Sequence, residues 1–134
     1  MTSLAKIEGI GKTYAQKLKD AGIATTEALL KQGATPKGRQ EIGERSGIGD
    51  KLILKWINRA DLFRVKGIGE EYADLLEVSG VDTVPDLARR NPENLYQKLM
   101  EANAEKKLVR RPPSQAQVQG WVKQAQGLNR TVTY

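Results

Sequence analysis

The sequence predicts an all-α protein in which two copies of one five-helix unit are packed in tandem. The first observation behind this prediction is a repeated tripeptide, Gly-Ile-Gly, which occurs at residues 9–11, 47–49 and 67–69. A run of helix-forming residues with apolar side chains at helical spacing follows each occurrence. The second observation is a longer internal repeat, with an offset of 58 residues, that divides the chain into two units.

The 58-residue offset relates more than the glycines. It superposes Tyr14 on Tyr72, Ala15 on Ala73, Leu18 on Leu76, Gly22 on Gly80, Thr25 on Thr83 and Leu29 on Leu87. Further along, Trp56 corresponds to Trp121 at an offset of 65, so the second copy has gained seven residues. The predicted units are residues 1–61 and 62–128, followed by a polar tail at 129–134.

In the first unit, start and stop signals delimit each helix. A lead-in helix at residues 4–7 precedes a hairpin at Glu8–Gly11, and the next helix covers residues 12–21 and is ended by Gly22. The remaining helices run from the N-cap Thr25 to Gly33, from Thr35 and Pro36 to the second tripeptide, and from Asp50 to Ala60.

The second unit repeats this plan. Its signals are a hairpin at residues 66–69, a helix over residues 72–78 ended by Gly80, a helix capped by Thr83, a helix from Asn91 and Pro92 to about Ala104, and a final helix capped by Ser114 with Gln117. Residues 106–113, which are basic and stiffened by two prolines, stand where a fourth Gly-Ile-Gly is expected. The final hairpin of this unit is therefore degenerate.

A Gly-Ile-Gly turn between two helices is the signature of a helix-hairpin-helix motif. The glycines let the backbone turn sharply and expose its N–H groups, and the buried isoleucine fixes the turn to the core. Exposed amides at a helix N-terminus attract an anion, typically a nucleic-acid phosphate. The same turn also has a purely structural interpretation, because the chain needs it to reverse direction.

The residues after each tripeptide differ in charge. Lys12 and Thr13 follow the first and favour a phosphate, whereas Asp50 and Lys51 follow the second and leave its role open. Glu70 and Glu71 follow the third and repel phosphate, so this hairpin is predicted to be structural or a protein contact. The basic residues 106–111 are either a solvated loop or a contact for phosphate or an acidic protein surface.

Composition excludes most catalytic chemistry. The chain has no cysteine and no histidine, which excludes disulfides, thiol nucleophiles, zinc sites built from either residue and imidazole acid–base catalysis. Its net charge is +6, distributed as +5 over residues 1–60, −5 over 61–88 and +6 over 89–134. A basic balance favours polyanions. No apolar run is long enough to cross a bilayer, so a cytoplasmic protein is expected.

Over essentially its whole length, the chain resembles an uncharacterised, mainly bacterial family of tandem double helix-hairpin-helix proteins. The double unit itself is similar to domains of DNA-repair, recombination and replication proteins, which hold the phosphate backbone without reading sequence. The resemblance implies a phosphate-binding role for Gly9, Gly11, Gly47 and Gly49, and with less force for Gly67 and Gly69.

The sequence therefore predicts a non-catalytic binder of nucleic acid, with duplex DNA favoured, that has no cofactor and no metal site. The predicted contact residues are Gly9, Ile10, Gly11, Lys12, Thr13, Gly47, Ile48, Gly49, Lys51, Arg110 and Arg111. Trp56 and Trp121 are predicted to be core anchors rather than platforms for base stacking. The alternative is a helical adaptor between proteins, in which the hairpins are only turns. The choice of DNA or RNA and the oligomeric state stay open.

Overall fold

The computed structural model describes residues 3–7 and 9–134, and in this part of the chain it contains eight α-helices and no strand. The all-α prediction is confirmed. The helices are α1 Lys12–Asp20, α2 Thr26–Gln32, α3 Pro36–Ser46, α4 Asp50–Leu62, α5 Glu70–Val78, α6 Val84–Ala88, α7 Pro92–Lys106 and α8 Gln115–Gly127. Glu8, where the first hairpin was predicted to begin, lies outside the described residues.

The chain divides into two compact units. The first comprises residues 1–61 together with 131–134, and the second comprises residues 62–130. The sequence predicted five helices in each unit, but the structure has four α-helices in each, α1–α4 and α5–α8, and the lead-in segment of the first unit is only a 3-10 turn.

Most helices begin at a side chain that accepts a hydrogen bond from the first turn. The caps predicted from the sequence are confirmed at Thr25, Thr35, Thr83, Asn91 and Ser114, with N–H···O distances of 3.0 to 3.3 Å. At α8 the cap is reciprocal, because the Gln117 side chain also accepts from the backbone N–H of Ser114 at 2.8 Å. These caps satisfy backbone donors that the helices themselves cannot pair.

Each unit is built around one buried tryptophan. Trp56 of α4 is 1% exposed and its ring lies 5.2 Å from that of Tyr14 in α1. Trp121 of α8 is 2% exposed, and its ring lies 5.1 Å from that of Tyr72 in α5. Both tryptophans are core anchors, as the sequence predicted, because the apolar stripes of their helices face inward.

Several helix ends differ from the sequence prediction: α1 ends at Asp20 instead of residue 21, α4 continues past Ala60 to Leu62, and α5 begins at Glu70 instead of residue 72. The lead-in segment is a 3-10 turn over Leu4–Lys6 rather than a helix over residues 4–7, because Ile7 is extended and buried. Helix α7 continues two residues past Ala104 and ends where Lys107 adopts a left-handed conformation with φ of +51°. The stops predicted at Gly22 and Gly80 coincide with φ values of +91° and +90°.

The last four residues pack against the first unit, although the sequence predicted only a polar tail at residues 129–134. Val132 is buried, and the backbone N–H of Thr133 donates to the Ala34 carbonyl at 2.8 Å. The buried Arg39 guanidinium donates to the carbonyls of Gly33 and Thr133, at 2.9 and 2.7 Å. Arg39 thereby ties this segment to the turn between α2 and α3.

Within the described residues, none of the helices combines the length and the apolar character that crossing a membrane requires.

Candidate nucleic-acid interface

The three Gly-Ile-Gly tripeptides form what we call the first, second and third glycine turns, at residues 9–11, 47–49 and 67–69. The first glycine of each turn is left-handed, with φ of +93° at Gly9, +74° at Gly47 and +94° at Gly67. This conformation is one that L side chains rarely adopt, so the backbone itself requires glycine there. The isoleucine of each turn is buried, at 4 to 7% exposed, and fixes the turn to its unit.

The second glycine of each turn has no such requirement. Gly11 and Gly69 are extended, with φ of −84° and −97°, and Gly49 also lies outside the left-handed region. A Cβ added to any of these three glycines would meet no atom within 4 Å. The fold therefore does not explain why glycine recurs at this position. A residue without a side chain does allow a ligand to approach the backbone closely.

Gly11 and Gly69 are also the N-caps of α1 and α5, and neither provides a side-chain hydrogen bond. Serine, threonine or asparagine stands at the N-caps of α2, α3, α6, α7 and α8, and each accepts such a bond. The amides in the first turn of α1 are thus open to an external acceptor, since residues 11–13 are exposed to solvent.

This difference between the two glycines predicts opposite effects of serine on stability. Gly9→Ser is expected to cost about 1–2 kcal/mol of unfolding free energy, because a side chain is strained at φ of +93°. Gly11→Ser is expected to preserve stability or raise it by a few tenths of a kcal/mol, because serine is a good N-cap in extended backbone. Urea denaturation followed by circular dichroism measures both. An equal loss from the two substitutions would contradict this assignment.

The surroundings of the first glycine turn are basic. A shallow cleft of about 410 Å³ beside α1 is lined by Lys12 and Lys19 and by no acidic residue. Lys12, Thr13 and Lys19 are exposed. A phosphate at the open amides would have the adjacent Lys12 and the Thr13 hydroxyl beside it, while Lys19 lies two turns further along α1.

The second glycine turn is less open. The Ser46 hydroxyl donates to the Ile42 carbonyl at 2.6 Å and accepts from the Ile48 N–H at 3.2 Å. One of the turn amides is therefore already paired. Asp50 begins α4 and lies in its first turn, while Lys51 is exposed beside it. This turn offers an accessible Gly49 and one adjacent cation.

The first and second glycine turns are both fixed to α4. The helix starts directly after the second turn, at Asp50, and a Cβ on Gly9 of the first turn would lie 3.7 Å from Nε1 of Trp56. The rise of an α-helix places Trp56 roughly 9 Å along the axis from Asp50. Trp56 therefore sets the position of one turn relative to the other within the first unit.

The third glycine turn lies beside residues 106–113 of the second unit, which we call the basic loop. An open cleft of about 530 Å³ is lined by Gly67, Gly69, Glu70, Glu71, Tyr72, Arg110 and Arg111. The Tyr72 hydroxyl donates to the Arg111 carbonyl at 3.0 Å. Residues 106–113 thus bring two arginines to the turn that carries two glutamates.

The predicted contact residues fall into two groups. Residues 9–13 and 47–51 belong to the first unit, whereas Arg110 and Arg111 belong to the second. Lys19 was not among the predicted contact residues, although its place seven residues after Lys12 puts both lysines on one helix face. Asn103 was not predicted either, and its side chain holds the basic loop in place through two hydrogen bonds to Val109. No pattern in the sequence indicates that role.

No group of three or more potential metal ligands occurs within residues 3–7 and 9–134. The family model described as "Domain of unknown function (DUF4332)" matches residues 8–128. No curated protein and no solved structure matches the chain.

Proposed function

We propose that this chain, which belongs to the DUF4332 family of unknown function, is a non-catalytic binder of nucleic acid that contacts phosphates without reading base sequence. In this proposal each unit is a double helix-hairpin-helix unit, and the basic loop takes the place of the fourth hairpin. The matched Tyr–Trp pairs, and the left-handed Gly9 and Gly67 at an offset of 58 residues, support that arrangement.

The uncapped start of α1 is the observation that carries the proposal. Gly11 leaves the first-turn amides without a side-chain acceptor, in a chain that caps five other helices with one. A phosphate oxygen can accept from these amides and from the Thr13 hydroxyl, while Lys12 contributes positive charge. Contacts of this kind go to the nucleic-acid backbone and carry no base information.

The second turn adds to the contact surface proposed in the first unit. Gly49 has no side chain, so a ligand can approach its backbone closely, and Lys51 is exposed next to it. In the second unit we propose a separate contact. Arg110 and Arg111 are exposed there, and guanidinium groups bind phosphate with two hydrogen bonds.

A duplex ligand fits better than a single strand. Base stacking needs accessible aromatic faces, and both tryptophans are buried. We favour DNA and a cytoplasmic location as parts of the same proposal. The absence of cysteine and histidine from the sequence supports a role without catalysis.

Fluorescence anisotropy of labelled duplex DNA, duplex RNA and single-stranded DNA tests the proposal. The expected result is saturable binding to duplex DNA, with log K falling linearly as log salt rises, because counterions are released from the phosphates. Single strands are expected to bind more weakly. Absence of binding to every one of these ligands at low salt would overturn the proposal.

A protein adaptor is the second candidate. Glu70 and Glu71 line the cleft at the third turn, and acidic side chains there suit a basic protein surface better than a phosphate. If the adaptor interpretation is right, variants of the first glycine turn leave partner binding unchanged. If the nucleic-acid proposal is right, the same variants weaken DNA binding by about 10- to 100-fold.

A further inference from the structure

We infer that Glu70 and Glu71 restrain the phosphate contact made by Arg110 and Arg111, so that the second unit binds nucleic acid more weakly than its arginines alone would allow. This inference rests on the proposed function. It assigns the acidic third turn a role in setting affinity, where the sequence predicted only a structural turn or a protein contact.

The first step is that the arginines are held in place. The buried Asn103 side chain accepts from the Val109 N–H at 2.9 Å and donates to the Val109 carbonyl at 3.2 Å. These two bonds fix the residue directly before Arg110, and Val109 is itself buried. Arg110 and Arg111 therefore project from a braced segment of the loop.

The second step is that the same loop is tied to the helix that carries the carboxylates. Tyr72 of α5, one residue after Glu71, donates its hydroxyl to the Arg111 carbonyl at 3.0 Å. Both glutamates and both arginines line the one cleft. Both arginines are exposed to solvent, so they stay available to a ligand.

The third step is electrostatic. Two glutamates and two arginines give this cleft a formal charge of zero, whereas the cleft beside α1 holds two lysines and no acid. A phosphate that binds Arg110 or Arg111 in this cleft shares it with two carboxylates, and like charges repel. The carboxylates therefore oppose the contact that the arginines favour.

A structural role for the glutamates is the competing interpretation. Acidic residues in the first turn of a helix interact favourably with its dipole, and α5 has no side-chain cap. That role predicts that removing the carboxylates lowers the stability of the second unit. It predicts no gain in affinity for DNA beyond the effect of net charge.

The test compares two double variants with the same net charge. Glu70→Gln with Glu71→Gln removes the cleft carboxylates, and Glu93→Gln with Glu101→Gln removes two exposed carboxylates of α7 that do not line the cleft. Duplex DNA binding is measured by anisotropy at about 150 mM salt. We expect about tenfold tighter binding for the cleft variant and about twofold for the control.

A third variant, Arg110→Gln with Arg111→Gln, tests whether the carboxylates act on the phosphate contact made by these two arginines. Combining it with the cleft variant is expected to remove most of the tenfold gain, because the two pairs of residues act through one contact. Circular dichroism shows whether each variant is folded. A cleft variant that is folded and gains no more than its control would overturn the inference and leave the proposed function intact. If wild type and all variants fail to bind at low salt, the proposed function fails, and the inference fails with it.

Discussion

Replacing Trp56 with alanine is expected to lower the unfolding free energy of the first unit by about 3–5 kcal/mol, the usual cost of removing a buried aromatic side chain. Trp56 is 1% exposed, packs on the ring of Tyr14 at 5.2 Å and lies under Gly9. Native proteins have only about 5–15 kcal/mol of stability, so the loss is a large fraction of the total. The first glycine turn is expected to lose its fixed position as well.

Tryptophan fluorescence makes this measurement specific to one unit. The chain contains two tryptophans, and Trp121 belongs to the second unit, so in Trp56→Ala it becomes the only tryptophan reporter. Circular dichroism during urea denaturation reports both helical units, whereas Trp121 fluorescence reports the second alone, so a transition seen only by circular dichroism belongs to the first unit. Trp56→Phe is the matched control and is expected to retain part of the packing. A loss below about 1 kcal/mol in Trp56→Ala would show that Trp56 is not the core anchor.

Combining Gly11→Pro with Lys12→Glu is expected to weaken duplex DNA binding by about 10- to 100-fold. Proline removes the Gly11 N–H, and the charge reversal places a carboxylate beside the remaining amides. Loss of one hydrogen bond to a charged group accounts for an effect of this size. The φ of −84° at Gly11 is close to the range that proline requires, and a Cβ there meets nothing within 4 Å.

The matched control is Lys37→Glu, which makes the same change in net charge at an exposed position of α3 away from the glycine turns. Its effect on DNA binding measures the contribution of net charge alone, and we expect a loss of about two- to threefold. A folded double variant that binds as well as this control would exclude the first glycine turn from the interface.

The starts of the helices were predictable from the sequence because the interactions that begin a helix join residues that are close together in the chain. Thr35 followed by Pro36, and Asn91 followed by Pro92, each combine a side-chain acceptor with a residue whose φ is already helical, and α3 and α7 begin there. The apolar stripe around Trp56 likewise predicted burial, because residues at helical spacing share one face.

The candidate site was only partly predictable because it depends on contacts between distant residues. The sequence indicated that Lys12 is a good neighbour for a phosphate and that Glu70 is a poor one. It gave no sign that Arg111 lies beside Glu70, since that juxtaposition depends on the Tyr72 hydroxyl and on the Asn103 amide. The packing of Val132 against the first unit was likewise not predictable from the sequence, because it depends on the hydrogen bond from the buried Arg39 to the Thr133 carbonyl.

The two glycines of each turn illustrate what the structure adds. In sequence they are equivalent, and a sharp turn between helices explains both. In the structure Gly9 has a left-handed backbone that requires glycine, whereas Gly11 is extended with open space around its Cα. Only the first glycine is explained by the turn, so the second is the better indicator of a ligand.

The most direct test of the central claim is an NMR titration of the isotopically labelled protein with a short duplex DNA, observing each backbone amide. We expect the largest shifts at the uncapped amides of Gly11, Lys12 and Thr13, and little change at Ala28 and Gly38, whose amides donate to the capping threonines. Saturable binding that leaves residues 11–13 unperturbed would contradict the claim that these amides hold phosphate.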